Sequence, residues 1–423
     1  MSTHHVPRHR MVLGLALVGW FAGAGSAAEP LLTLSTRTGK ALAAPRAAFN
    51  TTDGLYLTVH EYHYGAADWD IDGRVVDANG LAPNEAFGIA WNGSIVQQEP
   101  DIAYNPVANE FLVVYALAPD NWKISACIVA GDGTPGPFIP IATSVYREYH
   151  PSVACDPTTG EYLVVYEREY QLDSVEWREV WAQRVLQTGT LIADPYRISY
   201  PGTDSRDCAV ACAGGQYMVV WTEQQARGKG RILGRMIQFG YPSKTTFTLA
   251  QARDSVRPQI AYNPARAEYL VVYQTRTGMG AHWSIEGVRI NTVGEIKDAT
   301  LIASPVEAHC TAPDVACTPA DGRYVVTWIQ STSESPSLLP SHQIMALGID
   351  GGGLPVGEPL PVSEPGMLGV PAPAIAAGSC GRALIVWDEQ SDPTDSSPTI
   401  YSIRGAHDVW GGLCTACDCN CPQ

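Results

Sequence analysis

The sequence predicts an all-β fold of repeated four-stranded antiparallel units, and three observations carry that prediction. Its 423 residues include 40 glycines and 31 prolines, a density of chain breakers that suits short strands joined by turns. One segment recurs almost unchanged: PDIAYNPVANEFLVVY from Pro100, PSVACDPTTGEYLVVY from Pro151 and PQIAYNPARAEYLVVY from Pro258. Looser copies start at Pro45, Cys208, Pro313 and Pro373, giving seven at intervals of 50 to 60 residues. Four strands in about 50 residues, repeated, is the spacing of a β-propeller blade, and a unit that small buries too little core to stand as a separate sandwich.

Each copy opens with a strand of form Pro-x-apolar-Ala-apolar. Its alanine recurs as Ala48, Ala103, Ala154, Ala211, Ala261, Ala316 and Ala376. A slot that small in every copy is expected where the sheets converge on a central axis and larger side chains would collide. A turn follows, often Asn-Pro or Asp-Pro, in which proline fixes its own φ and the Asx side chain bonds forward to the backbone. The second strand is β-branched and ends in an aromatic residue, Tyr115, Tyr166, Trp221, Tyr273, Trp328 or Trp387, with His60 in the first copy. These endings are expected to pack between neighbouring sheets. The third strand is clearest as WDIDGRVV from Trp69, WSIEGVRI from Trp283 and RILGRMI from Arg231, and a weaker fourth follows, such as TLIADPYRIS.

The last copy lacks a fourth strand. The segment EPLLTLS, from Glu29, is spelled like EPLPVS, from Glu358 in the fourth-strand slot of the preceding copy. Residues 31–36 are therefore expected to complete the last blade beside residues 400–404, which removes an aggregation-prone sheet edge. The full expectation is a seven-bladed β-propeller of four-stranded antiparallel blades, closed by an N-terminal strand added to the last blade. It would occupy residues 29–410, with a signal peptide over 1–28 and a cysteine-rich tail over 411–423.

The spelling AYNPxxxEYLVVY followed by Ile-x-Gly-x-Arg resembles the repeats of secreted bacterial β-propeller proteins, most of which have no assigned activity. That resemblance implies the fold and leaves the chemistry open, because one fold hosts many functions.

Arg8 and Arg10 precede an uncharged apolar run from Met11 to Ala24, and small residues Ser26, Ala27 and Ala28 follow. This is the pattern of a secretion signal cleaved near Ala28. The run is short for a membrane span, and no later uncharged apolar stretch reaches about 18 residues. An exported protein is expected, periplasmic, surface-bound or extracellular, without membrane insertion. The formal charge of −16 repels phosphate backbones, so nucleic acid is not an expected partner.

Asp68, Asp70 and Asp72 in DWDIDG match the first half of a calcium loop, but Asn79 stands where a bidentate Glu is needed. In register with the other copies they start a strand, so they are weak metal candidates. Cys414, Cys417, Cys419 and Cys421 crowd the tail, and the readings are disulfides, a soft-metal cluster, or a processing or attachment tail. The chain has 11 cysteines, so at least one is free or bonded to another molecule. Cys155, Cys212 and Cys317 share the slot of Phe49, Tyr104 and Tyr262 and read as apolar fillers.

No GxSxG elbow, HExxH or phosphate loop occurs, so no catalytic residue and no cofactor is assigned. Loops entering the first strands and those joining second to third strands should open on one propeller face. The entering loops bring Glu99, Arg147, His150, Arg206, Asp207, Arg257 and His309 there, and variable loops on a rigid ring suit recognition. The expected function is a non-catalytic binding or surface-structural module for a protein or glycan, monomeric or weakly associating. The alternatives are a carbohydrate-active or other hydrolytic enzyme using carboxylates at the channel mouth, and a component of an extracellular assembly cross-linked through the tail.

Overall fold

The computed structural model describes residues 31–407 apart from 92, 94, 119–121, 226–227, 239, 279, 320, 333–341, 366–372 and 391–399. The expected leader, and the tail with Cys414, Cys417, Cys419 and Cys421, lie outside the described residues.

Strand β1 (Leu32–Thr38) precedes the first repeat copy, whose strands are β2 (Leu42–Asn50), β3 (Leu55–Gly65), β4 (Asp68–Asp77) and β5 (Phe87–Ala90). The second copy forms β6 (Val96–Asn105), β7 (Glu110–Ala118), β8 (Lys123–Ala130) and β9 (Pro135–Ala142). The third forms β10 (Glu148–Cys155), β11 (Tyr162–Leu172), β12 (Val175–Val185) and β13 (Leu191–Arg197). The fourth forms β14 (Ser205–Cys212), β15 (Gln216–Gln225), β16 (Lys229–Gln238) and β17 (Tyr241–Ala250). The fifth forms β18 (Asp254–Asn263), β19 (Glu268–Arg276), β20 (Ser284–Asn291) and β21 (Thr300–Ala303). The sixth forms β22 (His309–Thr318), β23 (Arg323–Ser331), β24 (His342–Ile349) and β25 (Pro355–Pro361). The last supplies β26 (Ala374–Ala377), β27 (Ala383–Gln390) and β28 (Ile400–His407).

The chain is an all-β propeller, but the expected seven four-stranded blades are corrected. Five sheets are discrete four-stranded blades: β10 to β13, β14 to β17, β18 to β21, β22 to β25, and the sheet ordered β1-β28-β27-β26. The first two repeat copies run together as one eight-stranded sheet, in which a parallel bridge joins Trp69 of β4 to Val96 of β6. The join is that single bridge. Outer strand β5 covers β4 only from Ile71 to Gly73, but β21 covers β20 over as few residues and its blade stays separate, so a short outer strand alone does not account for it.

The amino-terminal strand closes the ring, with Leu32 opposite Gly405 and Thr38 opposite Ile400. Apolar layers between neighbouring copies hold the ring together. In one, Ala154, Leu163 and Val165 of the third copy meet Val210, Tyr217 and Trp221 of the fourth. In another, Ala261 meets Val315, Tyr324 and Trp328. The repeat alanine thus touches the next sheet, and the aromatic strand endings fill the same layers, with Tyr166, Trp221, Trp328 and Trp387 fully buried. Side chains on these short strands alternate between the preceding and the following sheet, so both faces are buried and the strands read as unbroken apolar runs.

Candidate functional site at the axial mouth

The end where the first strand of each copy begins is termed the upper mouth. There the inner strands share a feature that the repeat spelling conceals. Six of the seven slip register just before the repeat segment, between Ala43 and Arg46, Gln98 and Asp101, Tyr149 and Ser152, Arg206 and Ala209, Val256 and Gln259, and Thr311 and Asp314. The bulged residue is left-handed in every case: Ala44 (φ 48°), Glu99 (56°), His150 (46°), Asp207 (54°), Arg257 (55°) and Ala312 (49°). Five of these precede a repeat proline. Proline is tolerated there because the inner strand is a sheet edge and the bulge already interrupts the ladder.

The bulges are tied from copy to copy. The Glu99 N–H donates to Glu61 Oε1 (2.7 Å), the His150 N–H to Glu99 Oε2 (2.8 Å) and the Asp207 N–H to Glu167 Oε1 (2.6 Å). The Arg257 N–H donates to Thr222 Oγ1 (3.0 Å) and the Ala312 N–H to Gln274 Oε1 (3.0 Å). Glu61, Glu167, Thr222 and Gln274 each follow the aromatic slot of the second strand, so their polarity at that step was a readable signal that sequence reasoning missed.

Four bulge side chains, Glu99, His150, Asp207 and Arg257, line one arc of the mouth, whereas Ala44 and Ala312 leave the opposite side low. His150 Nδ1 lies 3.2 Å from Glu99 Oε1, with the imidazole side chain 47% exposed. Arg257 is exposed, and no carboxylate partners its guanidinium among the described residues. Fully buried Glu167 pairs with Arg178 at 2.8 Å. Burial pushes its carboxyl above the usual range, while His150 and Arg178 pull the other way.

The remaining expected residues separate. Arg147 is exposed, 3.6 Å from Glu169, and Arg206 is held by Asp204 of its own copy at 2.9 Å. His309 is buried and stacked on His282, ring centres 4.6 Å apart, on another sector. Asp68, Asp70 and Asp72 lie on β4 as a strand face, and no group of three or more His, Cys, Asp or Glu among the described residues is placed to hold a metal ion. Burial pushes the Asp72 carboxyl up to about 6, with Asp70 adding and Arg37 opposing.

Over the third copy, β11 and β12 form a hairpin of 11 residues a side. One face carries Tyr170 stacked on its cross-strand partner Trp177 (5.6 Å, 14°), with Tyr146 at 4.6 Å. The other carries Glu169 and Arg178, whose guanidinium lies over the Tyr149 ring at 4.1 Å. The tip exposes Leu172 and Val175.

Below the bulges, the charge of Arg46 in the first copy acts on Asp101 in the second and on Asp314 in the sixth. Both acids are half-buried. Burial pushes both carboxyls up, Asp314 to about 6, and Arg46 opposes the rise. Asp101 Oδ2 accepts the Val153 N–H and Asp314 Oδ2 the Ile375 N–H, both at 2.9 Å. They therefore satisfy the channel-side edge of the next inner strand, where no ladder partner exists.

No protein-family model matches this chain, and no curated protein matches it. Solved structures do. A protein of unknown function from Dyadobacter fermentans DSM 18053 is similar at 12% identity and TM-score 0.52, over 74% of this chain and 96% of that one. A Hadza microbial sialidase, Hz136, is similar at 11% identity and TM-score 0.50, over 82% and 76%. The β-propeller domain of the Trilobed protease from Pyrococcus furiosus aligns at 8% identity and TM-score 0.49, over 86% and 95%. Likeness at such identities speaks to fold alone.

Proposed function

We propose that this chain is an exported β-propeller that binds a protein or glycan at its upper mouth without catalysing a reaction. One observation carries the reading. The carboxylates at this end of the inner strands, Glu61, Glu99, Glu167, Asp101 and Asp314, already accept backbone N–H groups of a following copy. The groups left facing solvent are recognition groups: Arg147, His150, Arg257 and the aromatic hairpin. Tyr, Trp and Arg are the side chains that dominate binding surfaces, because they offer large rigid contact area and directed donors. The test is a glycan array and a pull-down with the mature chain, repeated with His150→Ala plus Arg257→Ala and with Tyr170→Ala plus Trp177→Ala. Loss of at least about tenfold in affinity is expected for one pair, and unaltered binding in both would place the ligand elsewhere.

A second reading, hydrolysis by channel carboxylates, is favoured by the raised carboxyls of Asp101 and Asp314, since perturbed acids cluster at catalytic sites. The structural likeness to a sialidase is compatible with it. Release of reducing sugar from polysaccharides that disappears in Asp101→Ala would establish it.

A further inference from the structure

We propose that the upper mouth takes an acidic glycan, one carrying a hexuronate whose carboxylate is gripped by Arg257 and whose hydroxyls bond to Asp207. This narrows the binding reading above and rests on it. Among the described residues, Arg257 is the one arginine whose side chain makes no ion pair, hydrogen bond or ring contact. The chain has 43 acidic residues against 27 lysines and arginines, and the other arginines at this end have each taken a carboxylate. Arg147 meets Glu169, Arg178 meets Glu167, Arg206 meets Asp204 and Arg276 meets Asp254. Asp207, the bulge residue of the preceding copy, is likewise without a side-chain partner among the described residues. A cation and an anion thus stand at equivalent positions on neighbouring inner strands and do not close on each other.

Both are presented by fixed backbone. The bulges set φ at 54° for Asp207 and 55° for Arg257, and their N–H groups are anchored on Glu167 and Thr222, so ordering the site costs little on binding. The guanidinium fork matches a carboxylate with two parallel hydrogen bonds. The Asp207 carboxylate is acceptor-only and takes hydroxyl donors. A neutral sugar leaves Arg257 without a counter-charge, and a simple carboxylate brings Asp207 a like charge with nothing to donate. A hexuronate supplies both groups on one ring. A chain of such rings extends along the arc to His150 on the third copy, beyond the size of a single amino acid. Ala44 and Ala312 leave the opposite side of the mouth low, which gives the rest of the glycan its way out. The negative charge of the chain does not forbid an anionic ligand. At physiological salt distant charges are screened within about 8 Å, and the nearby guanidinium decides.

The experiment uses the full chain. Titration calorimetry with tetragalacturonate, tetraglucuronate and their methyl esters compares the wild type with Arg257→Gln, Arg257→Lys and Asp207→Asn. At least one acid is expected to bind the wild type at least about tenfold more tightly than its ester, the size of a hydrogen-bonded charge pair. Arg257→Gln should erase that preference, Arg257→Lys should keep part of it, and Asp207→Asn should weaken acid and ester alike. Urea midpoints of Arg257→Gln and Asp207→Asn should equal that of the wild type, since neither side chain has a contact to lose. No binding of either acid, equal affinity for acid and ester, or a preference that survives in Arg257→Gln overturns the proposal. A lowered midpoint in Arg257→Gln overturns it too, because Arg257 would then have a partner within the protein. Free glutamate that binds as tightly as the acids, and is lost in Arg257→Gln, would assign the pair to an amino acid instead. Binding of a neutral glycan that falls in Tyr170→Ala plus Trp177→Ala but not in Arg257→Gln would overturn this proposal and leave the upper-mouth reading standing. Binding indifferent to every mouth residue would end both.

Discussion

His60→Phe is the substitution whose effect can be worked out most fully. His60 stands where every other copy has an aromatic residue, is fully buried, and finds no hydrogen-bond partner for either ring nitrogen among the described residues. Burial lowers its pKa from 6.5 to about 3, and Arg37 and Arg74 push the same way. Asp72, its partner across the β3–β4 ladder, is the carboxyl facing it. In the unfolded chain the imidazole titrates near 6.5, so below that pH the unfolded state takes up a proton that the folded state refuses. Stability therefore falls with acidification, by about 1.4 kcal/mol per pH unit, until the folded value is reached near pH 3. Between about pH 7 and about pH 5 this residue alone should cost the wild type about 2 kcal/mol.

Phenylalanine keeps the shape and removes both nitrogens. At about pH 7 the variant should be more stable by about 1 kcal/mol, because two buried polar atoms no longer go unpartnered. At about pH 5 its advantage should widen by a further 2 kcal/mol or so. Urea midpoints at the two pH values measure this, and an unchanged slope shows that only stability differs. Comparing variant with wild type at each pH cancels the other titrating groups. An advantage that does not grow between the two pH values would refute the assignment of a refused proton to His60.

Ala154→Leu should destabilise by about 1 to 3 kcal/mol, read as a lower thermal midpoint, because the added atoms enter a layer already filled by Leu163, Val165 and Val210. Leu34→Ala, at a side chain 1% exposed in the closing strand, should cost about 3 kcal/mol and speed amide exchange along β28. Arg46→Met removes the cation that opposes the raised carboxyls of Asp101 and Asp314. Its cost should be largest above about pH 6, where Asp314 is ionised, and should shrink toward pH 3.8 as that group protonates; equal urea midpoint shifts at both ends would refute it.

The repeat, the alanine slot and the closing strand were legible in the sequence because each is a local pattern that recurs, so the physical demand is visible seven times. The merging of the first two copies was not. It rests on one bridge between Trp69 and Val96, a contact between copies that hydrophobic patterning within a copy does not record. The inner strands also begin earlier than the repeat proline suggested, β6 at Val96 and β18 at Asp254. The bulge before that proline is a left-handed turn at Glu99 or Arg257, types with no marked preference for it. Arg46, Asp101 and Asp314 each look like a solvated polar residue on a strand. Only ring closure, bringing residues nearly 270 positions apart to one channel, makes them a group. His309 shows the converse, since its place before a strand resembles that of His150 but stacking on His282 removes it from the open face.

The choice between recognition and hydrolysis turns on what Asp101 does. If it is a structural acceptor, Asp101→Ala orphans the Val153 N–H at a sheet edge that no other strand covers, which costs about 1 to 3 kcal/mol and loosens the junction of the second and third copies. Ligand binding at the distant hairpin should then survive in proportion to the folded fraction. If it is a catalytic acid, the substitution should abolish turnover while leaving the urea midpoint nearly in place, because enzymes hold such groups at a stability cost that removal relieves. Stability and activity move in opposite senses under the two readings, so one variant measured both ways separates them. A stable Asp101→Ala protein that loses hydrolysis would remove the basis for the non-catalytic reading, since that reading rests on these carboxylates being committed to the backbone.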